Sequence, residues 1–373
     1  MLTPFDDYPI HQTSLPIAHS ATGDPNHYDR FWFNGYRDDF YFGAGMAVYP
    51  NRGIIDAAFA VVHDGVQRSV FASGRLPVDR GETRIGPISI EVVEPLRVTR
   101  VRATSEEFGI DADVTFTART VALEEPRQIL TSGTKVTLDS TRMTQWGTWS
   151  GAVVAGGESV RLDGLYGTKD RSWGVRPVGP QVAAAPDPNL PQVFFLWAPI
   201  NFDDCCTHFL CFEKANGDRW VSSQAVLDVI DAADPVFGPE AQERIHHLAG
   251  TVHDVRWAPG LRRSQGATLR MTRHDGSDER IELEPLLTFR MRGLGYMHPE
   301  WGHGSWHGEL AVGGEENKVD ALDNVEPWNI HVQQVMRARW GDRVGIGVLE
   351  QLAFGEHTPS GLHGLIDGYA PPK

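Results

Sequence analysis

The sequence predicts an all-β protein built from two antiparallel β-barrel or sandwich domains, and three observations carry that prediction. First, the 373 residues include 39 glycines, 24 prolines, 17 phenylalanines and 11 tryptophans, a mixture that suits pleated surfaces joined by tight turns. Second, several segments alternate apolar and polar residues, while no long stretch carries a 3.6-residue apolar period. Third, turn-forming dipeptides punctuate those segments at short intervals.

The elements follow in order. Asp64-Gly65, Asn216-Gly217 and Asp275-Gly276 each stand between strand-like runs, and such pairs tolerate the positive φ that tight hairpins require. In Ile110 to Ala118 every second residue is apolar, the mark of a strand with one buried and one wet face. Thr268 to Arg273, Glu279 to Leu283 and the Val344, Ile346, Val348 series read the same way. One short helix is predicted, over residues 239–248. The segment from Pro177 to Pro191 holds five prolines and no strand pattern, so it reads as a linker or long loop. It divides the chain into an N-terminal domain (1–176) and a C-terminal domain (192–373).

Charge and composition narrow the function. Lys and Arg total 34 against 49 Asp and Glu, a net charge of -15, which repels nucleic acids and anionic lipid surfaces. The opening MLTPFDDYPIHQ lacks a basic and then apolar leader pattern, and no apolar run approaches a bilayer span. The expectation is a cytoplasmic protein with no integral membrane segment and no nucleic-acid partner. Cys205, Cys206 and Cys211 are bunched within seven residues, which suits buried free thiols in a reducing compartment better than a disulfide framework.

No phosphate-binding glycine loop, G-x-S-x-G elbow, zincin motif or paired C-x-x-C is present, so the reading calls for no cofactor. Three local clusters remain. Around Gly164 to Arg176, an extended backbone puts Tyr166, Thr168 and Asp170 on one face and Lys169, Arg171 and Trp173 on the other. A carboxyl group buried there keeps its proton near neutrality and can act as a general acid; the bland alternative is a structural ion pair with a nearby arginine. In Phe194 to Phe212, a regular strand puts Cys206, His208, Leu210 and Phe212 on one face, with Trp197 upstream. His208 is then a candidate base, or a core histidine with a satisfied hydrogen bond. In Tyr296 to Glu309, His303 and His307 share a face if the segment is a strand, and Glu300 or Glu309 could complete a metal site. An organic-ligand pocket involving Tyr296, Trp301 and His303 is the preferred reading, with no metal. Glu350 is a second acid candidate.

The first cluster resembles the G-x-G-Y-x-D-H-N-W-G signature of the carotenoid 1,2-hydratase (hydroxyneurosporene synthase) and AttH-like superfamily. Asp170, Trp173 and Gly174 match it, while Arg171 and Ser172 stand where the signature has His and Asn. The resemblance implies two lipocalin-like domains around an apolar cavity, with Asp170 donating a proton to a carbon–carbon double bond. It also implies an isoprenoid or similar lipid as substrate.

The expected function is therefore a cofactor-independent lyase or isomerase that hydrates, cyclises or isomerises an apolar small molecule. Asp170, His208 and Tyr296 are the expected catalytic groups. Tyr166, Trp173, Trp197, Phe212, Trp301 and His303 are the expected substrate contacts. The alternatives are a non-catalytic lipid or terpenoid carrier and a metal-dependent enzyme using residues 298–307.

Overall fold

The computed structural model describes residues 13–180 and 191–370. It consists of two large antiparallel sheets with helices of no more than one turn. The first has 14 strands in the order Leu310–Lys318, Val66–Arg75, Ile54–His63, Phe40–Tyr49, His27–Arg37, Leu165–Val175, Lys135–Ala155, Ile110–Ala118, Val98–Ser105, Ile88–Glu94 and Arg84–Ile85, with three short strands attached to Lys135–Ala155. The second has ten strands and centres on Cys205–Glu213, Val193–Trp197, Arg343–Phe354 and Val332–Trp340. The all-β expectation holds.

Local chemistry accounts for these elements. Asp64 and Gly65 take φ values of 49° and 71° between Ile54–His63 and Val66–Arg75, the mirror-image turn that matches strand twist. Ile110–Ala118 is a strand with a strictly alternating burial pattern. Residues 239–248 depart from expectation: the helix stops at Gln242, and Ile245–His247 pairs with Arg219–Asp228. Pairing with an available sheet edge outweighs the weak helical propensity of so short a segment.

Each sheet curls around its own apolar core. Phe33, Phe42, Phe59, Phe116 and Trp149 fill the interior of the first. Phe194, Phe209, Trp257, Leu269 and Met336 fill that of the second. A third apolar layer, with Trp32, Tyr41, Phe71, Trp197 and Phe289, lies between the sheets. The interior of each curled sheet is thus occupied by packed side chains.

The two halves of the sequence are interleaved at one point. Leu310–Lys318, which follows the second sheet's Asp278–Arg290 strand, pairs along its whole length with Val66–Arg75 of the first sheet. Of the Pro-rich stretch 177–191, residues 181–190 lie outside the described residues. Its first part is anchored: Val178 is buried, and its carbonyl accepts a hydrogen bond from Arg52 at 2.8 Å.

Candidate active site

The site grows from three neighbouring strands of the first sheet. On His27–Arg37, residues Arg30, Trp32, Asn34 and Tyr36 share one face. Register places Trp32 and Thr144 on either side of Asp170, and Arg30 and Arg142 on either side of Ser172. This face does not meet water. The second sheet covers it with a row formed by Leu210, Trp197, Glu350 and Gln333.

Direct contacts join the two rows. The rings of Trp32 and Trp197 meet edge-on at 5.7 Å. Asn34 Nδ2 and Tyr41 Oη donate to Gln333 Oε1 at 3.0 and 2.8 Å. The Arg142 guanidinium lies over Phe195 and Trp197 at 5.4 and 5.8 Å. On the first sheet, Arg142 Nε lies 2.9 Å from Glu125 Oε2 and 3.3 Å from Asp170 Oδ2, while Thr144 Oγ1 donates to Glu125 Oε1 at 2.8 Å.

Burial and donors then set the protonation states. Asp170 is 5% exposed. Burial pushes its carboxyl up to about 7, against the pull of Arg142 and with the repulsion of Glu125 and Glu350. Glu350 is equally buried, but its oxygens lie 2.6 Å from His331 Nε2 and 2.6 Å from the Gln333 Nε2 donor. Burial favours its neutral form, yet these two partners outweigh it and hold Glu350 below its ordinary value. His208 is fully enclosed, 3.7 Å from Glu125, and burial lowers it to about 4. Among the described residues, both its ring nitrogens lack a hydrogen-bond partner, and the ring is neutral near pH 7.

The structure gathers some of the expected residues and separates others. Asp170, His208 and Trp197 lie in the layer between the sheets. Tyr296 joins them through His331, which it meets edge-on at 4.8 Å, and His303 meets Tyr296 at 4.6 Å. Phe212 packs on Phe195 at 4.6 Å and Trp301 stacks on Phe71 at 5.7 Å, both at the margins. Tyr166 Oη donates to Asp203 at 3.3 Å at the opposite edge. Trp173 is 39% exposed and projects from the other face of its strand, away from Asp170.

The histidine segment corrects one expectation. Residues 295–309 form turns, not a strand, because Gly295, Gly304 and Gly308 adopt φ of 85°, 70° and 107° and break the backbone course. His298 faces Glu315, His303 faces Arg30, and His307 packs on Trp301. Glu309 forms a surface pair with Arg75. Among the described residues, side chains spaced to hold a metal occur elsewhere, at Cys211, Glu213 and His253 and at His63, Asp64 and Glu158. Glu213 there is already engaged by His253, His357 and Arg219.

Arg30, Glu125, Arg142, His331 and Gln333 were not singled out from sequence. The available signal was the alternation Ser140, Arg142, Thr144, Trp146, whose polar members read as a wet strand face.

Comparison with known proteins places this geometry in context. A family model described as "Family of unknown function (DUF8625)" matches residues 2–363. No curated protein sequence matches the chain. Among solved structures, an AttH candidate from Nitrosomonas europaea is similar with a TM-score of 0.53 at 14% identity, covering 92% of this chain and 98% of that one. Kievitone hydratase from Nectria haematococca is similar with a TM-score of 0.51 at 10% identity, covering 88% and 89%. At these identities the likeness establishes an AttH-like fold.

Proposed function

This chain belongs to the DUF8625 family of unknown function, and we propose that it is a hydratase-like lyase or isomerase working by acid catalysis on an apolar alkene. The observation that carries the reading is the state of Asp170: buried between two tryptophan-bearing rows, with a carboxyl pushed up to about 7. A carboxylic acid that keeps its proton at neutrality is what protonation of a double bond requires. The similarity to kievitone hydratase supports the same class by analogy of fold.

In the proposed cycle the Asp170 O–H bond breaks as a new C–H bond forms on the alkene. The resulting carbocation is stabilised by the indole face that the edge-on pair of Trp32 and Trp197 leaves uncovered. Water then adds to the cation and gives up a proton to His208, which is neutral at physiological pH. Return of that proton to Asp170 resets the site, and the net reaction is addition of water. Proton loss without water capture gives isomerisation from the same intermediate. Tyr296 and Glu350 orient His331 at the edge of the site.

The test is incubation of the purified protein with a panel of isoprenoid alkenes in deuterium oxide, read by mass spectrometry for addition of solvent or deuterium exchange. Asp170→Asn is expected to lower turnover ~10²–10⁴-fold, the usual contribution of a general acid, with the fold intact. Turnover close to wild type in that variant would remove Asp170 from the mechanism.

A further inference from the structure

We propose that Arg30 and Arg176 form an anion-binding subsite beside Asp170, so that the substrate is an apolar molecule carrying a carboxylate or similar acidic group. The inference rests on the acid-catalysis reading for its catalytic context, but the subsite itself stands on separate observations.

The first is the crowding of two positive charges. Arg30 Nη1 and Arg176 Nη2 each lie 3.3 Å from the same atom, His303 Nδ1. Both guanidinium groups also flank the Tyr296 ring, at 4.6 and 5.8 Å from its centre. His303 Nε2 lies 2.7 Å from the Leu294 carbonyl, which fixes its proton there and leaves Nδ1 as an acceptor. Burial and the two arginines hold the ring well below its ordinary value, so it relieves none of the positive charge.

The second is the lack of a counter-ion in contact. Arg30 is only 3% exposed, and among the described residues no carboxylate forms an ion pair with either guanidinium. Among the described residues, the buried Nε atoms of Arg30 and Arg176 have no hydrogen-bond partner. Arg30 is buried and Arg176 half-buried, and two like charges this close repel one another unless an opposite charge joins them. Asp56 lines the same region, but its carboxylate is taken by the Gly304 N–H at 2.7 Å and Tyr49 Oη at 3.2 Å. Among the described residues, Asp56 is the sole carboxylate that lines the adjoining cavity.

The third is space. Arg30, Asp56 and His303, but not Arg176, line a cavity of about 20 Å³ together with Phe71, Leu294 and Trp301, room for about one water-sized polar group. Arg30 lies one row from Asp170 on the same face, since it pairs with Ser172 while Trp32 pairs with Asp170. That spacing is about 7 Å, the two-residue repeat of a strand. An acid group held by the arginines therefore sets the register of an alkene carbon against Asp170. A bidentate arginine contact supplies orientation as well as affinity.

Binding of 3-methylbut-2-enoate and of its matched amide, measured by calorimetry at fixed ionic strength, tests the subsite without needing any substrate to be known. The wild-type protein is expected to bind the acid at least tenfold more tightly than the amide. Arg30→Gln and Arg176→Gln are each expected to abolish that preference, while Asp170→Asn retains it. Equal affinity for acid and amide in the wild type would overturn the proposal, whether or not the arginine variants fold. Loss of turnover in Asp170→Asn without any acid preference would preserve the proton-donor reading and reject the anion subsite.

Discussion

Asp170 and Glu350 sit on facing sheets in one buried layer, yet their carboxyl groups are driven in opposite directions. Desolvation pushes both up. Asp170 has Arg142 as its cationic partner at 3.3 Å and two other carboxylates nearby, and rises to about 7. Glu350 receives close partners on both oxygens, His331 and Gln333, and falls below its ordinary value. Burial alone therefore does not make an acid; the groups that stabilise the anion decide the outcome. One sheet carries a carboxyl group pushed up to about 7, and the other carries one held below its ordinary value.

The comparison can be broken most severely at Arg142, which sits between Glu125 and Asp170. Arg142→Leu leaves Glu125 buried with no cation, and is expected to destabilise the protein by about 3–5 kcal/mol. Urea denaturation of the two proteins measures this, and an unchanged midpoint would contradict the assigned network.

A subtler test uses the sign of the pH dependence. For Asp170 the folded value lies above the unfolded one, so its contribution to stability is complete below pH 4 and is lost as pH rises to about 7. Relative to wild type, Asp170→Asn is expected to gain up to ~4 kcal/mol across that window, following the linkage relation. Glu350 runs the other way: its contribution is present above the ordinary carboxylate range and is lost on acidification. Glu350→Gln should therefore flatten the acid limb of the stability profile and leave the window from pH 5 to pH 7 unchanged. Chemical denaturation across pH distinguishes the two.

The smallest effect belongs to Trp173. It matches the sequence signature that drew attention to Asp170, but its side chain is exposed on the far face. Trp173→Ala is expected to change stability by less than about 0.5 kcal/mol and to leave turnover unchanged. A large loss of turnover would return Trp173 to the site.

These residues also show how much was legible in sequence. Asp170 was visible because a carboxylate stood among glycines and aromatics in a strand. His208 and Trp197 were visible because their neighbours were apolar. The all-β fold followed from alternation and turn chemistry, which are local properties. Arg142 and Arg30 were hidden because a polar strand face looks the same whether water or another sheet covers it. In Lys135–Ala155 that covering is the second sheet. The strand exchange of Leu310–Lys318 was equally invisible, since pairing partners far apart in the chain leave no local mark. The residues visible in the sequence report local structure; those that were missed report how the sheets stack.

The central claim is that Asp170 carries a proton at neutral pH. Infrared difference spectroscopy of the carboxylic C=O stretch, comparing wild type with Asp170→Asn over a pH series, tests it directly. The expected difference spectrum shows a buried carboxylic-acid band that persists at pH 6, disappears through about pH 7 and is missing from the variant. Buried Asp56 is pushed up to about 6 and contributes to both spectra, so the contradicting results are a difference band that vanishes in the ordinary range near pH 4 and a band titrating through about 7 that remains in Asp170→Asn.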